Sequence, residues 1–176
     1  MNFNNFTIKS QEAVQEAINL AQSRGQQAIE TAHILYGVMK VGENVTNFIF
    51  QKLGLNGQQI SLVLDKQIDS FPKVSGGEPY LSREANEVFQ KATQYSKEMG
   101  DEFVSLEHLL LALLTVKSTV STILKDAGMT EKEFIDFVKR NVVSKASEIH
   151  KIDKNLKLFV DNFNIVMNKE ADGTAY

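Results

Sequence analysis

The chain has 176 residues, 43% of them hydrophobic, and a formal net charge of −3. This length suits one compact domain with an appendage, and the lack of a basic stripe counts against a nucleic-acid partner. The chain has no cysteine, which excludes disulfides and thiol chemistry and suits a cytoplasmic protein. Its first residues show neither the basic nor the apolar region typical of a signal peptide, and no apolar run approaches the roughly 20 residues that a membrane span needs.

Four helices are predicted in the first part of the chain, because apolar residues recur there with helical spacing. Thr7 and Thr31 are candidate N-caps of the first and second helices, and the fourth starts near Asn56. Gly25 and Gly54 are placed to end the first and third helices. No segment before the tail alternates with the period of two that a strand requires.

A linker is predicted at 71–80. The only prolines of the chain, Pro72 and Pro79, flank the pair Gly76-Gly77 there, and such a cluster interrupts helices. The four-helix plan then begins again, with Ser82, Ser105 and Thr130 as candidate N-caps.

The second part of the chain repeats the first. Residues 6–39 match residues 81–114 without a gap at an offset of 75 positions, as from His33 to His108, and the offset then becomes 74, as from Gly54 to Gly128. Such self-similarity marks a duplicated unit. We therefore predict an all-α fold of eight helices, in which two pseudo-twofold-related four-helix repeats (6–70 and 81–144) form a domain over 1–144 with a groove between them.

The tail, residues 145–176, has its own pattern. Neither Gly nor Pro occurs between Gly128 and Gly173, and apolar residues follow one another at alternating spacings of three and four that are broken only at Lys145. Three interpretations remain open: a long amphipathic helix that could self-associate, a short helix that packs back on the domain, and a hairpin that turns at Asp161-Asn162. We favour a helix.

No catalytic or nucleotide-binding motif is present, so we expect no enzymatic activity and no cofactor. The repeat mates His33 and His108 could pair as metal ligands only with further ligands, and Glu107 adjoins one of them whereas Ala32 stands at the matching place beside the other. We expect no metal site. The interpretation that we favour is that each imidazole ring packs near a helix N-terminus and forms a hydrogen bond with a backbone group.

Two carboxylates stand out from the solvated helix faces. Asp101 follows the helix-ending Gly100, and Glu107 lies two residues past the predicted cap Ser105. A carboxylate in the first turn of a helix interacts well with the dipole and the free N–H groups. Alternatively, both carboxylates edge the inter-repeat groove and bind cationic or backbone N–H groups of a peptide. The sequence leaves these two readings near parity.

The repeated plan resembles the Clp N-terminal domain, the double four-helix repeat of Clp-family AAA+ unfoldases. The resemblance runs from about residue 3 to about 140, and the ClpB disaggregase branch looks most similar. It is carried by Phe-Thr-Ile-Lys-Ser-Gln-Glu-Ala (6–13), Leu-Ser-Arg-Glu-Ala (81–85) and Gly-Asp-Glu-Phe-Val-Ser-Leu-Glu-His (100–108). The tail resembles no linker of that family.

The resemblance implies a non-catalytic module that engages unfolded or aggregated polypeptide through the inter-repeat groove. The residues that affect substrate handling in ClpB-like domains match Thr7, Asp101 and Glu107 here. An apolar groove on the first two helices of the second repeat matches Lys91, Tyr95 and His108, where Tyr95 keeps apolar area and Lys91 does not. We therefore expect the site to comprise Thr7, Tyr95, Asp101, Glu107 and His108.

Two further expectations come from the resemblance. The ClpC branch reads phosphoarginine with a Thr and a Glu from each repeat, and Ala32 lacks the carboxylate that a guanidinium needs, which counts against this ligand. An alternative function is a regulator or adaptor that docks on a Clp ATPase or its clients, with the tail as docking or homodimerising element.

Overall fold

The computed structural model describes residues 2–150, with side chains over 2–140. This part forms eight α-helices in two sets of four, which confirms the predicted fold class. The first set is α1 (Ile8–Ser23), α2 (Thr31–Val41), α3 (Glu43–Lys52) and α4 (Gly57–Asp69). The second set is α5 (Arg83–Glu98), α6 (Leu106–Thr115), α7 (Thr119–Asp126) and α8 (Glu131–His150). Residues 151–176, on which most of the tail prediction falls, lie outside the described residues.

Side-chain caps begin the first helix of each repeat, as predicted. The Thr7 hydroxyl accepts a hydrogen bond from the Ser10 backbone N–H, and Ser82 accepts one from the Ala85 N–H, both at 3.1 Å. Each bond satisfies a backbone donor that the helix leaves free.

The predicted cap Thr31 of the second helix is wrong. The helix already includes Thr31, and Glu30 is the N-cap residue. The backbone N–H of Glu30 donates to Nδ1 of His33 at 2.9 Å. An imidazole three residues into the helix thus holds the start of α2, as a Glu or Gln side chain does in a capping box.

A small parallel sheet, which the sequence analysis did not foresee, joins the repeats. Strand β1 (Ala28–Ile29) pairs with β2 (Tyr80–Leu81), and an isolated parallel bridge pairs Phe6 with Val104. These two contacts are equivalent in the two repeats, because at the offset of 75 Phe6 corresponds to Leu81 and Ile29 to Val104. The segment before the first helix of each repeat therefore pairs with the segment before the second helix of the other repeat, as a pseudo-twofold relation requires.

One hydrophobic core runs through both repeats. Helix α6 lies at its centre, with Leu106 and every residue from His108 to Leu114 buried. Helix α2 contacts α1 within its own repeat and α5, α6 and α7 of the other repeat. The two helices with the most apolar sequences thus hold the halves together, because burial of apolar surface is the main stabilising contribution to the fold.

The segment from Phe71 to Pro79 crosses from one repeat to the other without regular secondary structure. It lies against the end of α1, where the Val74 N–H donates to the Gly25 carbonyl at 2.9 Å and the Tyr80 N–H donates to that of Gln27 at 3.1 Å. The repeat limits stay predictions, as does the tail boundary after residue 144, which falls inside α8.

Within residues 2–150, no single helix is both long enough and apolar enough to cross a membrane. Helices α6 and α7 meet the two criteria only when they are taken together, and the angle between them is 96°.

Candidate functional site

The start of α1 and the start of α6 lie side by side. The backbone N–H of Thr7 donates to the carbonyl of Val104 at 3.0 Å, and the N–H of Val104 donates to the carbonyl of Asn5 at 2.8 Å. These two bonds set the N-cap of α1 next to the loop that carries Asp101 and leads to Glu107. Residues from opposite repeats are thus assembled at one end of the molecule, where two helix N-termini contribute partial positive charge.

Thr7 has a structural role in this arrangement. Its hydroxyl caps α1 and also donates to the hydroxyl of Ser10 at 3.0 Å. The side chain is half-buried. Thr7 therefore orders the start of α1 whether or not it touches a ligand.

Asp101 is anchored on one side and open on the other. Its Oδ2 atom lies 2.8 Å from Nε2 of His108, and the carboxylate side chain is 42% exposed whereas the imidazole is 4% exposed. Nδ1 of His108 accepts the Ser105 backbone N–H at 2.9 Å. Since that nitrogen is the acceptor, Nε2 carries the proton and donates to Asp101. The remaining lone pairs of the carboxylate can accept hydrogen bonds from a ligand.

Glu107 lies in the first turn of α6 and is half-buried. Over residues 2–140, its carboxylate makes neither a hydrogen bond nor an ion pair with another side chain. Glu107 thus lies on the helix that follows the Asp101 loop, and its part in binding stays a prediction.

Tyr95 and His108 are interior residues. Tyr95 is 7% exposed and its hydroxyl donates to Oγ1 of Thr115 at 2.9 Å, while His108 is 3% exposed. The ammonium of Lys91 lies 5.2 Å above the Tyr95 ring centroid. Two of the three positions of the apolar groove expected on α5 and α6, Tyr95 and His108, are thus buried, and Lys91 is half-buried. A direct contact between either ring and a substrate stays a prediction.

At the matching end, where α5 and α2 begin, Gln26 and Ala32 stand at the positions of Asp101 and Glu107. The carboxylates there are at other positions, Glu30 at the N-cap of α2 and Glu84 in the first turn of α5. Ser82 pairs with Ile29 through its N–H at 3.0 Å and is buried, as is Ala32. Nε2 of His33 contacts Oε1 of Gln26 at 2.7 Å, in place of the aspartate. Burial, together with the Arg24 guanidinium, lowers the pKa of His33 from 6.5 to about 4. At this end the residues equivalent to Asp101 and Glu107, which are Gln26 and Ala32, are thus uncharged and buried.

Both histidines are thus tied to the chain through both ring nitrogens, and each bonds a backbone N–H at a helix start, as the favoured interpretation predicted. Among the described residues, no group of three or more His, Asp or Glu is arranged to hold a metal ion.

A concave surface that the sequence analysis missed lies on the first repeat. A groove of about 980 Å³ opens between α3 and α4 over the end of α2. Phe50 and Met39 are among its apolar lining, together with Leu62, which is 59% exposed. A comparison of residue types between repeat mates could have found it, because the second repeat has Asp136 where the first has Leu62.

The Clp repeat (R) N-terminal domain family matches residues 5–127. The chaperone protein ClpB of Bacteroides thetaiotaomicron is 81% identical over 152 residues, which cover 86% of this chain and 17% of that protein. ClpB of Porphyromonas gingivalis is 50% identical over 153 residues, 84% of this chain and 18% of the relative. The chain therefore spans about a sixth of the length of these curated relatives. The identities confirm the resemblance to the ClpB branch.

Solved structures share the fold. The N-terminal domain of Hsp104 from Candida albicans superposes with a TM-score of 0.65 at 20% identity, over 74% of this chain and 86% of that one. The ClpV N-domain in complex with a VipB peptide superposes with a TM-score of 0.59 at 17% identity, over 73% and 81%. These structures show the shared fold, and the match over residues 5–127 shows that the chain belongs to the Clp repeat (R) N-terminal domain family.

Proposed function

We propose that this chain is a non-catalytic polypeptide-binding module of the ClpB type, which engages unfolded or aggregated polypeptide at the joined starts of α1 and α6. Asp101 and Glu107 accept N–H groups or cationic side chains of the bound segment. The first turn of α6 supplies backbone N–H groups that lack intrahelical partners and can donate to its carbonyls. A cytoplasmic location and a Clp AAA+ ATPase as partner belong to the same proposal.

The observation that carries this proposal is the difference between the two ends of the duplicated fold. The backbone plan is the same at both, but the α1–α6 end has an exposed carboxylate in Asp101 and, in Glu107, a carboxylate without a partner among the described side chains. The fold forms at the other end with Gln26 and Ala32 instead. The acidic residues are therefore not a requirement of the architecture, which favours a role in binding.

Binding of fluorescein-labelled casein, measured by anisotropy on the full chain, tests the proposal. We expect Glu107→Gln and Asp101→Asn each to weaken binding several-fold, because each removes a charged acceptor of roughly twice the strength of a neutral one. Glu102→Gln, at an exposed position in the same loop, serves as the matched control. Unchanged affinity in both variants would contradict the proposed site.

The regulator or adaptor alternative depends on the tail, most of which lies outside the described residues, so docking or homodimerisation through the tail stays a prediction.

A further inference from the structure

We propose a second polypeptide-binding surface on this chain, the groove between α3 and α4 of the first repeat, whose ligand is a short apolar segment flanked by Lys or Arg. This surface is separate from the α1–α6 end and goes beyond the function proposed above.

The groove has a firm apolar floor and an exposed apolar wall. Phe50 forms part of the floor and is 2% exposed, and the start of α4 lies against it, since a Cβ atom at Gly57 would lie 3.2 Å from the Phe50 ring. Leu62 stands on the α4 side with most of its side chain in solvent. An apolar side chain of a ligand would cover Leu62 and pack against the floor at Phe50, which is already in place. Binding sites are usually preformed and apolar in this way.

The rim of the groove is acidic. An adjoining cavity of about 310 Å³ shares Met39 and Glu43 with the groove and extends it along α4 to Asp65. Glu43 and Asp65 are exposed, and neither forms an ion pair with a cation over residues 2–140. Lys40 also lines this cavity, but its ammonium lies 3.0 Å from Glu16, and that hydrogen bond raises the pKa of Lys40. The charge left for a ligand is negative, so Lys or Arg beside the apolar segment would complement it.

The second repeat shows that the fold does not require this chemistry. At the offset of 74, the structural mates include the N-caps Asn56 and Thr130. At the same offset, Leu62 corresponds to Asp136 and Asp65 to Lys139. The mates therefore have an acid at the apolar position and the opposite charge at Asp65. The exposed leucine on α4 and the acidic residue one turn after it are thus specific to the first repeat, which favours a ligand rather than a packing role.

Exposed amides complete the surface. Asn47, Gln51 and Gln58 line the groove and are all exposed. Each amide group can both donate to and accept from a peptide backbone. The groove thus offers apolar contact, backbone hydrogen bonds and charge attraction to one extended segment.

The test uses two fluorescein-labelled peptides and the full chain. One peptide has the sequence Lys-Lys-Leu-Phe-Ala-Leu-Phe-Lys-Lys, and the other has Glu in place of each Lys. We expect the basic peptide to bind with an affinity that falls as salt rises, and the acidic peptide to bind at least tenfold more weakly. Leu62→Asp, which installs the residue of the repeat mate, should reduce the affinity for the basic peptide about tenfold or more. It removes the apolar contact with the peptide and sets a carboxylate against apolar side chains, which outweighs the weak attraction of one added surface charge for lysine.

The matched control is Val74→Asp, which makes the same kind of change at an exposed apolar residue outside the groove. Should Leu62→Asp fail to fold, the double variant Glu43→Gln with Asp65→Asn changes only exposed side chains and is expected to abolish the preference for the basic peptide.

Three results would overturn the proposal: equal affinity for the two peptides, an unchanged affinity in Leu62→Asp, and sedimentation that shows self-association through this groove, which would make a second copy of the chain its occupant. The casein experiment measures the effect of substitutions at Asp101 and Glu107 instead. The α3–α4 groove and the α1–α6 site are therefore tested independently of each other.

Discussion

The Nε2 atom of His108 lies 2.8 Å from Oδ2 of Asp101, and its repeat mate His33 makes the equivalent contact with Gln26 at 2.7 Å. Each imidazole accepts a backbone N–H through Nδ1 and therefore donates through Nε2. The geometry is shared, but one acceptor is an exposed carboxylate and the other a buried amide. Duplication has thus kept the support for the helix start while the acceptor diverged.

The acceptor at position 101 is expected to matter more for stability than its charge. Asp101→Ala leaves the buried Nε2–H of His108 without its acceptor and should lower the free energy of unfolding by about 1–2 kcal/mol. Asp101→Asn keeps an oxygen acceptor and should cost less than half of that. Urea denaturation at pH 7 measures both changes, and equal losses in the two variants would show that the charge itself stabilises the fold.

His33 is expected to make the protein less stable in mild acid. Its pKa is lowered to about 4 in the folded chain, whereas the unfolded chain takes up the proton near pH 6.5. The contribution of neutral His33 is therefore fully present above pH 6.5 and is lost as the pH falls from 6.5 to 4, by an amount on the order of 3 kcal/mol.

His33→Gln provides the comparison, because Gln can still accept the Glu30 N–H but does not titrate. Urea denaturation between pH 4 and 7.5 should show a shallower fall in stability for the variant than for the parent chain. Parallel curves would contradict the assignment to His33.

Gly37 is expected to be intolerant of a single methyl group. A Cβ atom there would fall on the backbone oxygen of Ala13, because α1 and α2 pack with their backbones close together. Gly37→Ala should therefore destabilise the protein by at least about 2 kcal/mol, although alanine favours helices.

The repeat mate of Gly37 is Ala112, which is fully buried, so Ala112→Gly makes the reverse change at the equivalent place. It should cost only about 1 kcal/mol, mainly through the lower helix propensity of glycine. Thermal unfolding followed by circular dichroism ranks the two variants, and a neutral Gly37→Ala would show that α1 and α2 can separate at little cost.

Tyr95→Phe separates packing from substrate contact at this position. The change removes the hydroxyl that donates to Thr115 and keeps the buried ring. We expect a loss of about 1 kcal/mol in stability and no change in casein affinity. A several-fold loss of affinity with unchanged stability would instead make the hydroxyl a ligand contact. Tyr95→Ala is less informative, since deletion of a buried aromatic ring destabilises the fold by itself.

The helices and most of their caps, with Thr31 as the exception, could be predicted from sequence because their causes are local. Ser82 and Thr7 each serve a backbone donor three residues away, and Gly25 and Gly100 adopt positive φ angles of 67° and 73° just past the helices they follow. The duplication was equally visible, because repeat mates share residue types at a constant offset. The resemblance carried by 100–108 then indicated the family.

The pairing between the repeats could not be predicted, because strands of two residues leave no alternation to detect. Only the tertiary structure brings Phe6 to Val104 and thereby places Thr7 beside the helix of Glu107. Burial could not be predicted either. Tyr95 is a residue type suited to a binding groove, but its ring is buried where α5 packs on α6.

The sequence by itself determined the helices, the repeat and the family, since these depend on short-range periodicity and on identity between aligned residues. The tertiary structure alone decided which carboxylates face solvent and which apolar side chains stay exposed. Both depend on contacts between residues far apart in the chain, and local sequence does not encode the distance between them.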